Sequence, residues 1–216
     1  MRDLAIVIPC RNESENITNI LKKLKNNKIF LVNDASNDEI KKKITKFKNI
    51  KLLSNTKRQG YEKSIIKGFS YIKRLKDKKF RYILTMDADG DHDPKYVKKI
   101  YNKIKYSKAD LIIGNRTKKN RKSEEQISNI FKKKLKFEDP YCGFKIYKKE
   151  KLFEVYQKCS KNYFLADLCL LFKKKNMKIL NISINTKKNI LRKSRINYQT
   201  ADKKILSIKN LLNNFL

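Results

Sequence analysis

A chain of 216 residues is long enough for one sizeable core and too short for two ordinary domains joined by a linker. Apolar residues make up 40% and are spread along its length, so a folded globular domain is expected despite 35% charge, and no stretch approaches the roughly 18 uninterrupted apolar residues of a membrane span. The net charge of +34 attracts polyanions in general, but lysine falls on nearly every predicted helix and keeps company with asparagine and isoleucine, as A/T-rich codons produce, so charge alone singles out no RNA, lipid or phosphate partner.

The chain opens without a basic leader and cleavage site, so no signal peptide is expected. Residues 4–8 are a continuous apolar run, the signature of a strand covered on both faces, and Pro9 is expected to end it. A helix follows, with Ile17, Ile20, Leu21 and Leu24 on one stripe, Glu13 and Glu15 at its positive end and lysines at the other. The second strand, 29–32, closes on the polar cluster Asn33-Asp34-Ala35-Ser36-Asn37-Asp38, which is suited to turn the chain and cap the next helix. A third strand is expected over 50–53. Gly60 then opens a helix carrying Ile65, Phe69 and Ile72. The fourth strand, 82–86, runs straight into Asp87, and Pro94 starts a helix with Val97, Ile100, Tyr101 and Ile104 as its stripe. The fifth strand is 111–113, followed by Gly114.

Beyond Gly114 the pattern loosens. Residues 118–123 read as an exposed basic loop, 127–135, 152–159 and 165–172 as helices, and 144–147 and 177–184 as strands. Repeated β-α units predict an α/β domain, a mostly parallel central sheet with helices on both faces. Ligands of such sheets sit at the carboxyl ends of the strands, where the turns after strands one, two and four belong. The four cysteines, Cys10, Cys142, Cys159 and Cys169, form no close metal-ligand pair and read as reduced, partly buried thiols of a cytoplasmic protein.

Asp87, Asp89 and Asp91 alternate along one turn, with Asp93 beyond. Left together in a crevice they would raise one another's pKa, and a divalent cation relieves this; clustered oxygen ligands suit Mg²⁺ or Mn²⁺. A calcium loop counted from Asp87 would need Gly at position 6 and Glu at 12, and finds His92 and Lys98. An aspartyl phosphatase would carry its Asp-x-Asp turn on the first strand rather than the fourth. A solvated loop capping the helix at Pro94 accounts for Asp93 and leaves the other three acids unexplained. His92, the only histidine, reads as a supporting or surface group beside this turn rather than as a ligand.

Taken in order, these turns resemble the inverting family 2 glycosyltransferases of GT-A fold, and within them the polyprenyl-phosphate branch of dolichyl-phosphate mannose and glucose synthases. The resemblance covers about residues 4–195. Ile6-Val7-Ile8-Pro9-Cys10-Arg11-Asn12-Glu13 is similar to the opening strand and its Pro-x-x-Asn-Glu turn, which implies donor contacts at Pro9, Asn12 and Glu13. Val32-Asn33-Asp34-Ala35-Ser36-Asn37-Asp38 resembles the motif whose central acid, here Asp34, contacts the base. Asp87 to Pro94 resembles the metal motif Asp-Ala-Asp-Gly-Gln-His-Asp-Pro, which implies Asp89 as principal metal ligand and catalytic centre, Asp91 as its helper, and Asp87 toward the diphosphate-sugar end. Gly114-Asn115-Arg116 resembles a Gly-Ser-Arg whose arginine faces the acceptor phosphate, Asp139 to Lys145 the Asp-x-x-(Ser/Cys)-Gly-Phe-(Arg/Lys) signature, and Arg192-Lys193-Ser194-Arg195 a late Gly-Lys-Ser-Lys element, which implies acceptor contacts at Arg192, Ser194 and Arg195. Two departures stand out. Asp91 replaces the usual glutamine, and the Asn-x-Gly-x-Gly turn reads Arg58-Gln59-Gly60-Tyr61-Glu62, which keeps Gly60 alone.

The resemblance implies a nucleotide-diphospho-sugar transferase domain, Rossmann-like, over residues 1–200, and the spacing of the tail predicts an amphipathic helix over 201–216. The resemblance also implies Mg²⁺ or Mn²⁺ as cofactor, a GDP- or UDP-sugar as donor, and a lipid phosphate or a glycan as acceptor. A phosphate acceptor is already ionised, whereas a sugar hydroxyl needs a base, for which Asp139 and Asp167 are the candidates. Ile205, Ile208, Leu212 and Phe215 line one face of the tail, fit either for packing on the domain or for peripheral contact at the inner face of a membrane. A nucleotidyltransferase would carry a glycine-rich loop after the first strand, and 9–13 has none. An RNA-binding protein would account for +34 but not for acids at strand ends, so no specific nucleic-acid partner is expected.

Overall fold

The computed structural model describes residues 1–75, 78–119, 122–159, 163–186 and 212. Seven strands form one sheet: β1 (Leu4–Cys10), β2 (Lys28–Asn33), β3 (Ile50–Ser54), β4 (Tyr82–Thr85), β5 (Leu111–Arg116), β6 (Lys145–Lys148) and β7 (Ile179–Ile184), in the order β3-β2-β1-β4-β6-β5-β7. Every pairing is parallel except those of β6, which runs antiparallel to both β4 and β5. The sequence identifies this strand, but its insertion between β4 and β5 depends on long-range pairing that local pattern does not carry.

Seven helices are described: α1 (Ser14–Lys23), α2 (Ile40–Ile44), α3 (Tyr61–Arg74), α4 (Lys95–Tyr106), α5 (Lys122–Leu135), α6 (Lys149–Val155) and α7 (Phe164–Lys174), with a short 3₁₀ turn over Tyr156–Lys158 after α6. They cover both faces of the sheet. Tyr82 and Ile83 point to opposite faces because they are adjacent in one strand. The Tyr82 ring packs edge-on against Tyr101 of α4 at 5.7 Å. Ile83 lies beside Tyr147 in register, and the Tyr147 ring packs at 5.8 Å on Phe69 of α3. The stripes read from sequence are the buried ones, including Ile17, Ile20 and Leu21 of α1 and Val97, Ile100, Tyr101 and Ile104 of α4.

Three local expectations are corrected. Pro9 does not end β1, which continues to Cys10 opposite Asn33. The Val7 carbonyl faces β4, where it accepts from Met86 N at 3.2 Å, and the Cys10 carbonyl faces β2, where it accepts from Asp34 N at 2.9 Å. Pro9 therefore turns its missing N–H toward the side where pairing with β4 has already stopped at Thr85, so no ladder bond is lost. The polar cluster after β2 does not cap α2, whose N-cap is Glu39 with no side-chain cap bond. Asp38 Oδ2 instead accepts the first amide of α1, Ser14 N, at 2.8 Å. The exposed loop expected over 118–123 is shorter, because Lys122 and Ser123 already belong to α5, where Glu124 and Glu125 suit the positive end of the helix.

All four cysteines are free thiols, and no helix among the described residues is long and apolar enough to cross a membrane. Of the tail, only Leu212 is described, helical and buried; the rest of 201–216 lies outside the described residues.

Candidate active site

The carboxyl ends of β1, β2 and β4 and the N-terminus of α3 enclose a cleft of about 260 Å³. Its wall brings together Pro9, Glu13, Asp34, Gly60, Asp87 and Asp89 from four separate turns, with Arg11 and Arg58 as the cations among them. The backbone is bent at two of these turns: Asn12 and Ala35 hold φ of 54° and 52°, uncommon for residues with a side chain.

On one side, Asp34 organises the turn after β3. Its Oδ1 accepts from Gln59 N at 2.7 Å and Asn55 Nδ2 at 2.8 Å, and its Oδ2 accepts from Gly60 N at 2.8 Å. Gly60 has φ of 92°, which any side chain would strain, and this explains why one glycine survives in the turn. Asn12 does not line the cleft. It staples two turns, its amide donating to Ser36 Oγ at 3.1 Å while its Oδ1 accepts from Asn37 N at 2.9 Å.

On the other side stands the acidic turn. Asp87 Oδ1 accepts a hydrogen bond from the Tyr61 hydroxyl, and Oδ2 lies 3.5 Å from His92 Nδ1. His92 is buried, not a surface group: its Nε2 lies 3.7 Å from Cys142 Sγ and its Nδ1 3.3 Å from the Asp87 amide. Burial opposes its charge, but Asp87 and the Cys142 contact hold its pKa up to about 9. The Asp87 amide donates to Nδ1, which takes the neutral ring, whereas a charged ring would set Nδ1–H beside Asp87 Oδ2 at 3.5 Å. Asp89 accepts from Asp91 N at 3.1 Å. Burial, then the charges of Asp87 and Asp91, push its pKa up to about 6.

No three His, Cys, Asp or Glu side chains among the described residues stand together as an enclosed metal site. Asp89 offers an oxygen donor at the cleft in surroundings that disfavour an uncompensated carboxylate, while Asp91 meets it through its backbone amide and does not line the cleft. That chemistry fits a hard divalent ion which keeps several positions for water and phosphate oxygens.

Arg116 and Asp139 engage each other and are not among the residues that line this cleft. Arg116 Nε and Nη2 donate to Asp139 Oδ2 and Oδ1 at 2.9 and 2.8 Å, its backbone N donates to Oδ2 at 3.0 Å, and Nη1 lies 3.1 Å from Glu124 Oε2. Asp139 is only 1% exposed. Burial raises its pKa, but the Arg116 hydrogen bonds and charge outweigh this and hold it below the ordinary carboxylate value. Asp139, a candidate base in the sequence, anchors the Arg116 guanidinium and backbone here. Arg116 itself is 7% exposed, its guanidinium turned to these two acids. Arg192, Ser194 and Arg195 lie outside the described residues.

The loop from Asp139 to Phe144 crosses the end of β4 and joins the two regions. Thr85 Oγ1 donates to the Gly143 carbonyl at 2.7 Å, and the buried Lys145 ammonium donates to the carbonyls of Pro140 and Cys142. A side chain at position 143 would fall on Asp87 Oδ1 and the Tyr61 hydroxyl. Sequence reasoning passed over Tyr61, Arg58 and Arg11. The two arginines were readable as cations on turns already identified, whereas the Tyr61 contact is tertiary.

The glycosyl transferase family 2 model matches residues 5–180. An uncharacterized protein of Methanocaldococcus jannaschii is 32% identical over 164 residues, 67% of this chain and 71% of that one. The dolichol-phosphate mannosyltransferase of Pyrococcus furiosus is 26% identical over 170 residues, 68% of this chain, and the chain spans only 46% of that enzyme's length. Among solved structures, glucosyl-3-phosphoglycerate synthase of Mycobacterium tuberculosis superposes with a TM-score of 0.73 over 99% of this chain and 80% of its own, at 11% identity. The same enzyme with Mn²⁺, UDP-glucose and phosphoglyceric acid gives 0.71 over 95% and 77% of the two chains, also at 11% identity. At such identity the likeness shows a shared fold, the GT-A fold expected from the sequence.

Proposed function

We propose, from the premise that this chain belongs to glycosyl transferase family 2, that its cleft takes a nucleoside-diphosphate sugar and passes the sugar, with inversion, to an ionised acceptor, a polyprenyl phosphate. The observation that carries the donor half is the cleft itself: Asp89 at a raised pKa faces the same 260 Å³ as Arg11, Arg58 and the Asp34-held turn. Mg²⁺ or Mn²⁺ held by Asp89 would neutralise charge on the departing diphosphate. Arg11 and Arg58 line the same cleft and in this reading bind its oxygens, with Pro9, Glu13 and Asp34 at the nucleotide end. In the displacement an acceptor oxygen bonds to the anomeric carbon, the bond from that carbon to the diphosphate oxygen breaks, and its electron pair leaves with the diphosphate.

Two observations favour a phosphate acceptor. The P. furiosus relative bears the name of a lipid-phosphate mannosyltransferase. Of the two carboxylates offered as base for a sugar hydroxyl, Asp139 and Asp167, the first is engaged by Arg116, whereas a phosphate needs no base. In this reading the Arg116–Asp139 pair positions the 139–144 loop beside the reaction centre, and the basic surface favours contact with an anionic membrane, where such an acceptor resides. The test supplies UDP- and GDP-sugars with Mn²⁺ and either polyprenyl phosphate or free sugars. Labelled sugar should appear on the lipid phosphate; product confined to hydroxyl acceptors would reject the acceptor assignment and leave the transferase standing.

A further inference from the structure

Tyr61 occupies a junction between both sides of the cleft. Its backbone follows Gly60, whose amide is held by Asp34 Oδ2 at 2.8 Å, with the Gln59 amide on Oδ1 at 2.7 Å. Its hydroxyl reaches across to Asp87 Oδ1. We propose that Tyr61 is a positioning residue that fixes the width of the donor cleft, tying the Asp34 turn to Asp87.

The need for such a tie follows from the chain. The last sheet bond before the acidic turn is Met86 N to the Val7 carbonyl, at 3.2 Å. Beyond it the turn carries Asp87, Asp89 and Asp91 at alternate positions as far as the bridge between His92 and Thr186. Asp87 is held at Oδ1 by the Tyr61 hydroxyl, with His92 Nδ1 3.5 Å from Oδ2, and Asp89 lines the cleft beside it. Burial and the Asp87 charge raise the Tyr61 phenol well above its ordinary value, so it remains a proton donor at every working pH. Gly143 completes the junction, because its missing side chain leaves the space that the Tyr61–Asp87 hydrogen bond fills. A residue serving only as packing would need the ring and not the hydroxyl.

The inference rests on reading this cleft as the donor site, and one experiment separates the two. Binding of UDP and of GDP in the presence of Mn²⁺ is measured by calorimetry on the full chain, on Tyr61→Phe, on Asp87→Asn, on the double variant and on Gly143→Ala. The wild-type chain should bind one nucleotide. Tyr61→Phe should weaken that binding about tenfold, the scale of one hydrogen bond to a charged group, and Gly143→Ala should weaken it by at least as much. The double variant should bind no worse than Asp87→Asn alone, since the hydroxyl acts through that carboxylate. Wild-type affinity in Tyr61→Phe, or losses that multiply in the double variant, would overturn the positioning role while leaving the donor site intact. Failure of the wild-type chain to bind either nucleotide would sink the donor site and the inference together.

Discussion

Gly60 shows how one backbone position shapes a site. No atom lies within 4 Å of where its side chain would begin, so a Gly60→Ala change meets only the strain of φ at 92°. That strain costs about 1–3 kcal/mol, and urea unfolding should show the loss in midpoint with little change in slope. Asp139 makes a pH-dependent contribution. Its carboxyl is held below the ordinary value in the folded state, so its contribution to stability is present above the unfolded value of about 3.9 and is lost as pH falls through the lower folded one. Asp139→Asn should cost about 3 kcal/mol at neutral pH by stranding part of a buried arginine. The gap in melting temperature between the two proteins should narrow as pH drops below about 4; a constant gap would contradict the ion-pair account. At this scale the sequence showed which residues carry charge at strand ends. It could not show that Asp139 and Arg116, 23 positions apart, engage each other, or that Tyr61 meets Asp87. Both pairings are made by the fold, and no local pattern encodes them.

Among the elements, α3 is the one most closely fitted to the sheet. A methyl group on Gly68 would lie 2.5 Å from Val7 Cγ1 and 3.3 Å from Val7 Cγ2, on the strand that delivers Pro9 and Cys10 to the cleft. Gly68→Ala should therefore destabilise the chain by about 1–3 kcal/mol through overpacking, despite alanine's higher helix propensity. Thermal unfolding would decide, because a stabilised variant would mean that α3 can move off β1 at no cost. Helices and strands were legible in the sequence wherever periodicity was strong, as in Ile17, Ile20 and Leu21 of α1 or the apolar run of β1. Pro9 misled because a proline inside a strand is harmless once its side of the ladder is empty. The antiparallel β6 was recognised as a strand but not placed, and that placement carries the 139–144 loop over Asp87.

For the molecule as a whole, the order of turns along the chain was the informative signal, and net charge the least informative. Membership of glycosyl transferase family 2 accounts for acids clustered at the carboxyl edge of a sheet. The +34 charge by itself selects no partner. The central claim, that the acidic turn holds the donor's diphosphate through a divalent ion, is tested most directly by titrating UDP and GDP into the wild-type chain and into Asp89→Ala, each with Mn²⁺ and with EDTA. The account predicts that one nucleotide binds the wild-type chain only when Mn²⁺ is present and that Asp89→Ala, still folded, binds at least about a hundredfold more weakly, the scale of losing a charged ligand from such a site. Equal binding by the two proteins, or binding indifferent to EDTA, would contradict it.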